Sequence, residues 1–192
     1  MKNTKFILAS ASPRRFELLG ELGITPLVCP TDADERIDEP LSPAKTVELL
    51  SKRKAEAYNK PLEENEILIT ADTVVALGNT ILGKPSDYND AVNMLTSLSD
   101  TEHIVCTGVT VSSAEKSLTA HDVTTVGFRE MSTQEIKAYV DSGDPMDKAG
   151  AYGIQGEAGK FVKSISGSLN NVIGLPTELI KKILTEEFDI EF

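Results

Sequence analysis

Phe6-Ile7-Leu8-Ala9-Ser10-Ala11-Ser12-Pro13-Arg14-Arg15 reads as a strand, a turn and a helix start in quick succession. The apolar run Phe6 to Ala9 suits a short buried strand. Ser12 stands where an N-cap hydroxyl would accept an unpaired backbone N–H. Pro13 fits the first helical position, where its missing N–H costs nothing. Phe16, Leu19 and Leu22 then supply an apolar helical face. Arg14 and Arg15 carry the unexpected charge, because the first turn of a helix is the positive end of its dipole. Either both are solvated or they face an anion such as phosphate.

Outward from this start, Gly23 ends the helix and Pro26 to Pro30 reads as a second short strand. The cluster Asp32-Ala33-Asp34-Glu35, followed by Asp38 and Glu39, reads first as a solvated loop. Its functional reading is one carboxylate that reaches a metal. Ser42-Pro43 repeats the cap-then-proline start and opens a helix to about Lys60. Lys54 shares the inward stripe of Val47, Leu50 and Tyr58. Such a lysine snorkels outward or meets an anion, and the helix alone favours the snorkel.

Glu66 to Leu77 is the most informative segment. Ile67-Leu68-Ile69 and Val74-Val75-Ala76-Leu77 are strand-like runs on either side of Ala71-Asp72-Thr73. Asp72 is expected at a strand end or bulge facing a cleft. Its apolar flanks require a cation, a metal or a raised pKa for it. Gly78-Asn79-Thr80-Ile81-Leu82-Gly83-Lys84 has the glycine–lysine frame of a P-loop, but Pro85 stands where Ser or Thr must hold magnesium. The stretch reads instead as a hairpin, turned at Gly78-Asn79, that delivers Lys84.

Farther on, Asp87 to Leu98 forms a helix with Ala91, Met94, Leu95 and Leu98 inward. His103–Val111 and Thr119–Phe128 form a long antiparallel hairpin. His103 and His121 have no metal spacing and read as surface or paired histidines. Ser132-Thr133-Gln134-Glu135 is a capping box for a helix that stops at Gly143. The three glycines Gly150, Gly153 and Gly156 lack the dinucleotide fingerprint but allow a tight backbone path near a ligand. Gly159 to Ile165 suggests a last core strand, Gly167 to Asn171 a turn, and Gly174-Leu175-Pro176 the start of a C-terminal helix.

The 192 residues fit one domain, with two lobes around a cleft as the elaborated form. The net charge of −11 argues against a broad nucleic-acid surface, which needs a basic face. The sequence has no run long and apolar enough for a membrane span and no signal-peptide pattern. Cys29 and Cys106 form neither a metal spacing nor a disulfide framework, so a cytoplasmic setting is the expectation.

Taken in order, Ser10-x-Ser12-Pro13-Arg14-Arg15, Lys54-Ala55, Ala71-Asp72-Thr73-Val74-Val75, Gly83-Lys84-Pro85, Thr107-Gly108-Val109, Met146-Asp147-Lys148-Ala149-Gly150-Ala151-Tyr152-Gly153-Ile154-Gln155-Gly156 and Val172-x-Gly174-Leu175-Pro176 resemble the Maf family. The run ending in Gln155-Gly156 is similar to the branch that prefers dTTP and UTP. Leu169-Asn170-Asn171 departs from relatives that carry an aromatic there.

The resemblance implies a single domain over residues 1–192 with an inosine triphosphatase-like fold: a mixed twisted sheet, flanking helices and two lobes around a central cleft. Family members often form homodimers. It further implies a pyrophosphatase that cuts between the α- and β-phosphates of a nucleoside triphosphate. The alternative is a nucleotide-binding regulator of septum formation with incidental or no hydrolysis. By this resemblance Asp72 is the catalytic carboxylate, and Arg14, Thr73 and Gln155 choose the base. Ser10, Arg15, Glu35, Lys54, Lys84 and Asp147 line the phosphate and metal region.

These residue types suit the chemistry. Arg14, Arg15, Lys54 and Lys84 would meet a polyanion, and a divalent ion, Mg2+ or Mn2+, would take Glu35 and Asp72 as ligands. Asp72 can orient or deprotonate the attacking water. Gln155 offers both a donor and an acceptor to the imide edge of thymine or uracil. Arg14 could donate to a pyrimidine carbonyl; residue chemistry does not separate the two arginines, and it is the resemblance that implies Arg15 as the closer phosphate contact.

Overall fold

Strand β1 (Lys5–Leu8) leads into helix α1 (Pro13–Glu21), and Pro13 occupies the first helical turn. The protein is described here by a computed structural model over residues 4–192. Among the described residues seven strands form one mixed sheet in the order β2 (Leu27–Val28), β1, β3 (Glu66–Leu77), β5 (Glu102–Ser112), β6 (Ser117–Phe128), β7 (Val162–Ser166), with β4 (Thr80–Leu82) paired to β3. The chain divides into two compact units, and β3 (Glu66–Leu77), β5 (Glu102–Ser112) and β6 (Ser117–Phe128) each pass from one to the other.

The first unit comprises the chain up to Asp72, Thr107–Asp122 and Gly174–Phe192. Here β1 pairs in parallel with β2 (Leu27–Val28) and with the start of β3, in the register Ile7 to Leu27 and Phe6 to Ile67. Parallel neighbours need crossover connections, and α1 and α2 (Pro43–Glu56) supply them. Leu8, Leu19, Val47, Ile69, Val109 and, from α6 (Thr177–Phe188), Ile180 and Leu184 are buried completely. Three local expectations change. Ser12 occupies the N-cap position without a side-chain cap bond, and its N–H donates instead to Ser10 Oγ at 3.2 Å. The buried face of α1 centres on Leu18 and Leu19, which leaves Phe16 on its flank at 39% exposure. Helix α2 stops at Glu56, short of Lys60.

Strand β3 is continuous through Ala71-Asp72-Thr73, so Asp72 lies within a strand and not at its end. Pairing to β1 at Glu66–Ile69 and to β4 (Thr80–Leu82) at Val75–Leu77 holds the strand on both sides of the aspartate.

The second unit comprises Thr73–Cys106 and Val123–Ile173. Gly78-Asn79 makes the expected two-residue hairpin turn, with Leu77 opposite Thr80. Asp87 caps α3 (Tyr88–Leu98), and the capping box of Ser132 and Glu135 opens α4 (Thr133–Asp141). The two helices pack on an aromatic core of Phe128, Tyr139, Tyr152 and Phe161. Gly159 to Phe161 belongs to a 3-10 turn (Glu157–Phe161), and β7 (Val162–Ser166) is largely exposed. It is an edge strand and not a core strand, because it ends the sheet order, with β6 as its one neighbour among the described residues. Leu169–Ile173 is a short helix, α5, where a turn was expected. Its Asn171 is buried and donates to Val105 O and Thr124 Oγ1, both at 3.0 Å, so an amide anchors this segment. No helix among the described residues is long and apolar enough to cross a membrane.

Candidate active site

In the first unit, three segments bring charge together. Helix α2 carries Lys54, β3 carries Asp72, and the loop between β2 and α2 carries Glu35. Lys54 Nζ lies 2.5 Å from Asp72 Oδ1 and 2.9 Å from Glu35 Oε1. Lys54 and Asp72 are mostly withdrawn from solvent, with side-chain exposures of 17% and 13%, whereas Glu35 is 62% exposed. The lysine on the apolar stripe of α2 therefore meets anions and does not snorkel outward. Asp72 has the cation that its apolar flanks require.

Arg15 is a second cation within electrostatic reach of Asp72. Its Nη1 donates to Ala71 O at 2.8 Å and to Ser10 Oγ at 3.2 Å, and its Nε donates to Gly174 O at 2.9 Å. One guanidinium thus ties the β1–α1 turn to β3 and to the entry of α6. Burial lowers its pKa, while the charges of Asp72 and Glu35 act in the opposite direction. An arginine stays protonated regardless. Arg15 gives the site a fixed positive charge whose fork is already engaged with the protein. Arg14 lies beside it, half-buried, and makes no hydrogen bond or ion pair among the described residues.

The second unit carries the other residues singled out by sequence. Thr73 follows Asp72 on β3 and is partly buried. Lys84 is exposed just after β4. Asp147 is exposed and pairs with Lys148 at 2.7 Å. Gln155 is exposed in a tight turn, in which Gly156 N donates to Gly153 O at 3.1 Å. Gly150 allows the close path expected of this segment. Its φ is +67°, its N–H donates to Gly83 O at 3.0 Å, and an added Cβ would come within 2.8 Å of Val75 Cγ1. This links the glycine-rich segment to the backbone beside Lys84.

The two histidines are both paired, as expected. His121 meets Glu48 at 2.7 Å, and buried His103 shares a 2.8 Å hydrogen bond with Tyr152. Cys29 is partly buried and Cys106 fully buried.

Among the described residues no group of three or more His, Cys, Asp or Glu side chains surrounds a common metal position. Glu35 and Asp72 nevertheless converge on one cation, the Lys54 ammonium. Two hard carboxylate donors around a positive centre are what Mg2+ requires when substrate phosphates and water complete its shell. The donor set fits a divalent ion.

A match to the Maf-like protein family covers residues 5–187. The chain belongs to the Maf family. Among Maf proteins, the dTTP/UTP pyrophosphatase of Aquifex aeolicus is 46% identical over 182 residues, which cover 95% of each chain. The dTTP/UTP pyrophosphatase of Pelotomaculum thermopropionicum is 44% identical, covering 94% of this chain and 95% of its own. That of Vibrio vulnificus is 45% identical over 95% of this chain and 98% of its own. Among solved structures, the Ham1 protein of Staphylococcus aureus matches with a TM-score of 0.44 and 14% identity, over 65% of this chain and 72% of its own. The family match and the three pyrophosphatases agree with the family expected from the sequence, and the mixed sheet with flanking helices is the α/β fold class expected from it.

Sequence reasoning passed over Tyr139 and Asp144 as site-supporting residues, and it assigned no role to Lys148 although that residue lies in the quoted motif. The one available signal was the four-residue spacing of Asp144 and Lys148, which suits an ion pair.

Proposed function

We propose that this Maf protein is a nucleoside triphosphate pyrophosphatase that hydrolyses dTTP and UTP to the monophosphate and diphosphate. The observation that carries this reading is Asp72, buried in β3 against Lys54, in a chain whose relatives bear that activity in their names. Asp72 orients the attacking water and accepts its proton as the new bond to the α-phosphorus forms. The α–β bridging oxygen leaves with the diphosphate. General-base assistance of this kind typically contributes about 10²–10⁴-fold.

Lys54 moves its charge from Asp72 to the phosphates when substrate enters, which frees the carboxylate. Lys84 and Arg14 supply further positive charge, Arg14 also toward the base. Arg15 and Ser10, already bonded to each other, fix the turn and its positive field beside the phosphates. Glu35 and Asp72 would hold Mg2+ or Mn2+, whose chemistry is charge neutralisation on the phosphates. The family resemblance assigns Asp147 to the phosphates and metal, and Thr73 and Gln155 to selection of the pyrimidine. A cytoplasmic, homodimeric enzyme acting on a small-molecule substrate, with no nucleic-acid or membrane partner, completes the proposal.

The test is product identification from dTTP and UTP with added Mg2+ or Mn2+. Wild type should release diphosphate and monophosphate, and Asp72→Asn should lose most of that rate. Nucleotide binding by the wild type without any diphosphate release would sink the enzyme reading in favour of a nucleotide-binding regulator. Orthophosphate as the product would point to a different bond being cut.

A further inference from the structure

The turn that presents Gln155 is held from beneath by a chain of polar contacts that begins in the core of the second unit. Tyr139 is fully buried on α4, yet its hydroxyl has two partners. It donates to Asp144 Oδ2 at 2.7 Å and accepts from Gly153 N at 3.4 Å. Gly153 is the first residue of the tight turn that Gly156 closes, and Gln155 is the third. At the far end of the turn, a Cβ added to Gly156 would lie 3.3 Å from Asp144 Oδ2, so the same carboxylate oxygen packs against Gly156.

Asp144 is fixed in turn. Lys148 Nζ donates to Asp144 O at 2.6 Å, to Asp144 Oδ1 at 3.0 Å and to Asp147 Oδ1 at 2.7 Å. These three acceptors match the three donors of an ammonium group. The Lys148 side chain is only 14% exposed, so its alignment is not that of a loose surface pair. The Tyr139 hydrogen bond, followed by those of Lys148, lowers the pKa of Asp144. Burial opposes the charge on Lys148, but its bonds to Asp147 and Asp144 outweigh that and raise its pKa. The network is therefore charged at neutral pH, with a neutral phenol at its buried end. Buried polar groups satisfied in this way specify one geometry, since any other leaves a donor or acceptor unmet.

We infer that Tyr139, Asp144 and Lys148 are positioning residues for base selection: they set the Gly153–Gly156 turn, and so the direction of Gln155, and they restrain Asp147 through the same lysine. The inference rests on the proposed pyrimidine triphosphatase activity, with Gln155 reading the base. None of the three need touch the nucleotide. Their effect belongs to KM and to discrimination between bases, because the chemical step depends on Asp72 in the other unit.

The test is Tyr139→Phe, which keeps the ring in the core and removes only the hydroxyl, with Lys148→Met and Lys148→Arg as companions. In Tyr139→Phe, KM for dTTP and UTP should rise about fivefold, the scale of one lost hydrogen bond, with kcat within about twofold. The preference for pyrimidine over purine triphosphates should fall by a similar factor. Lys148→Met should do the same, and Lys148→Arg should recover part of the loss. Independently of any substrate, amide hydrogen exchange in residues 153–156 should accelerate in Tyr139→Phe while α3 stays protected. Unchanged exchange there would overturn the anchoring. Faster exchange with unaltered KM and base preference would overturn the role in selection. An equal fall in kcat for every nucleotide, with faster exchange throughout the unit, would mark a structural role only and overturn the inference as well. If wild type hydrolyses neither dTTP nor UTP, the proposed function fails, and the exchange measurement still decides the anchoring.

Discussion

Lys54 Nζ and Asp72 Oδ1 are 2.5 Å apart, on a helix and a strand that are both packed into the first unit. Removing one member leaves the other charge buried, with Glu35 as a largely exposed partner for the lysine and none of comparable closeness for the aspartate. Breaking a buried pair this way typically costs about 3–5 kcal/mol, and the residual solvent access here favours the low end. Lys54→Met and Asp72→Asn should each destabilise, but the double variant should lose much less than the sum. Chemical denaturation of the four proteins measures the coupling. Additive losses would show that the contact does not hold in solution.

Arg15 and Arg14 are neighbours in sequence with opposite expected behaviour. Arg15 uses its planar fork on Gly174 O, Ala71 O and Ser10 Oγ, whereas Arg14 contributes no such bond. Lysine cannot reproduce a guanidinium fork, so Arg15→Lys should cost about 2–3 kcal/mol through the acceptors left unpaired. Arg14→Ala should leave the melting temperature within about a degree or two, as surface changes do, while weakening nucleotide binding. Differential scanning calorimetry with a nucleotide titration separates the two. Equal thermal losses would contradict the division of labour.

His103 gives a pH dependence with a definite sign. Burial pushes its pKa down from 6.5 to about 4, and its ring packs edge-on against Phe128 and Tyr152. The folded protein therefore holds the imidazole neutral where the unfolded chain would protonate it. The stability tied to that neutral form is fully present above pH 6.5 and is lost as pH falls toward 4. The loss is bounded at about 3 kcal/mol. Urea denaturation at pH 7 and pH 4.5 should show wild type losing more stability than His103→Gln. Parallel losses would rule out His103 as the source.

Periodicity and capping made most of the fold legible. The strand-to-helix start, the Gly78-Asn79 hairpin and the Ser132 capping box all depend on neighbours in sequence, and all are present. The misreadings share a cause. Asp72 suggested a broken strand because its compensating charge is supplied by Lys54, eighteen positions away. The snorkelling expected of Lys54 failed for the same reason, since a helix taken alone does not reveal its partner. The segment Gly159 to Ile165 looked like core because hydropathy does not report that a strand ends the sheet. At the site, charge in unusual places exposed Lys54 and Asp72. Tyr139 looked like ordinary core, and only the tertiary structure shows where its hydroxyl points.

Gln155 tests the base-reading role most directly. It stands exposed at the third position of the Gly153–Gly156 turn. The imide edge of thymine or uracil presents one N–H donor between two carbonyl acceptors. A carboxamide answers with one acceptor and a pair of donors, and a carboxylate answers with acceptors alone. Gln155→Ala should therefore lower kcat/KM for dTTP and UTP by about 10–100-fold, because the polar edge of the base loses its match. ATP, whose base has no ring N–H beside a carbonyl, should change far less. Gln155→Glu separates hydrogen bonding from size: it retains the length but loses the donor and adds a negative charge. It should impair dTTP and UTP at least as much as alanine does. Steady-state kinetics across the four ribonucleoside triphosphates and dTTP reads both outcomes, and an unchanged pyrimidine-to-purine ratio in Gln155→Ala would remove this residue from base selection.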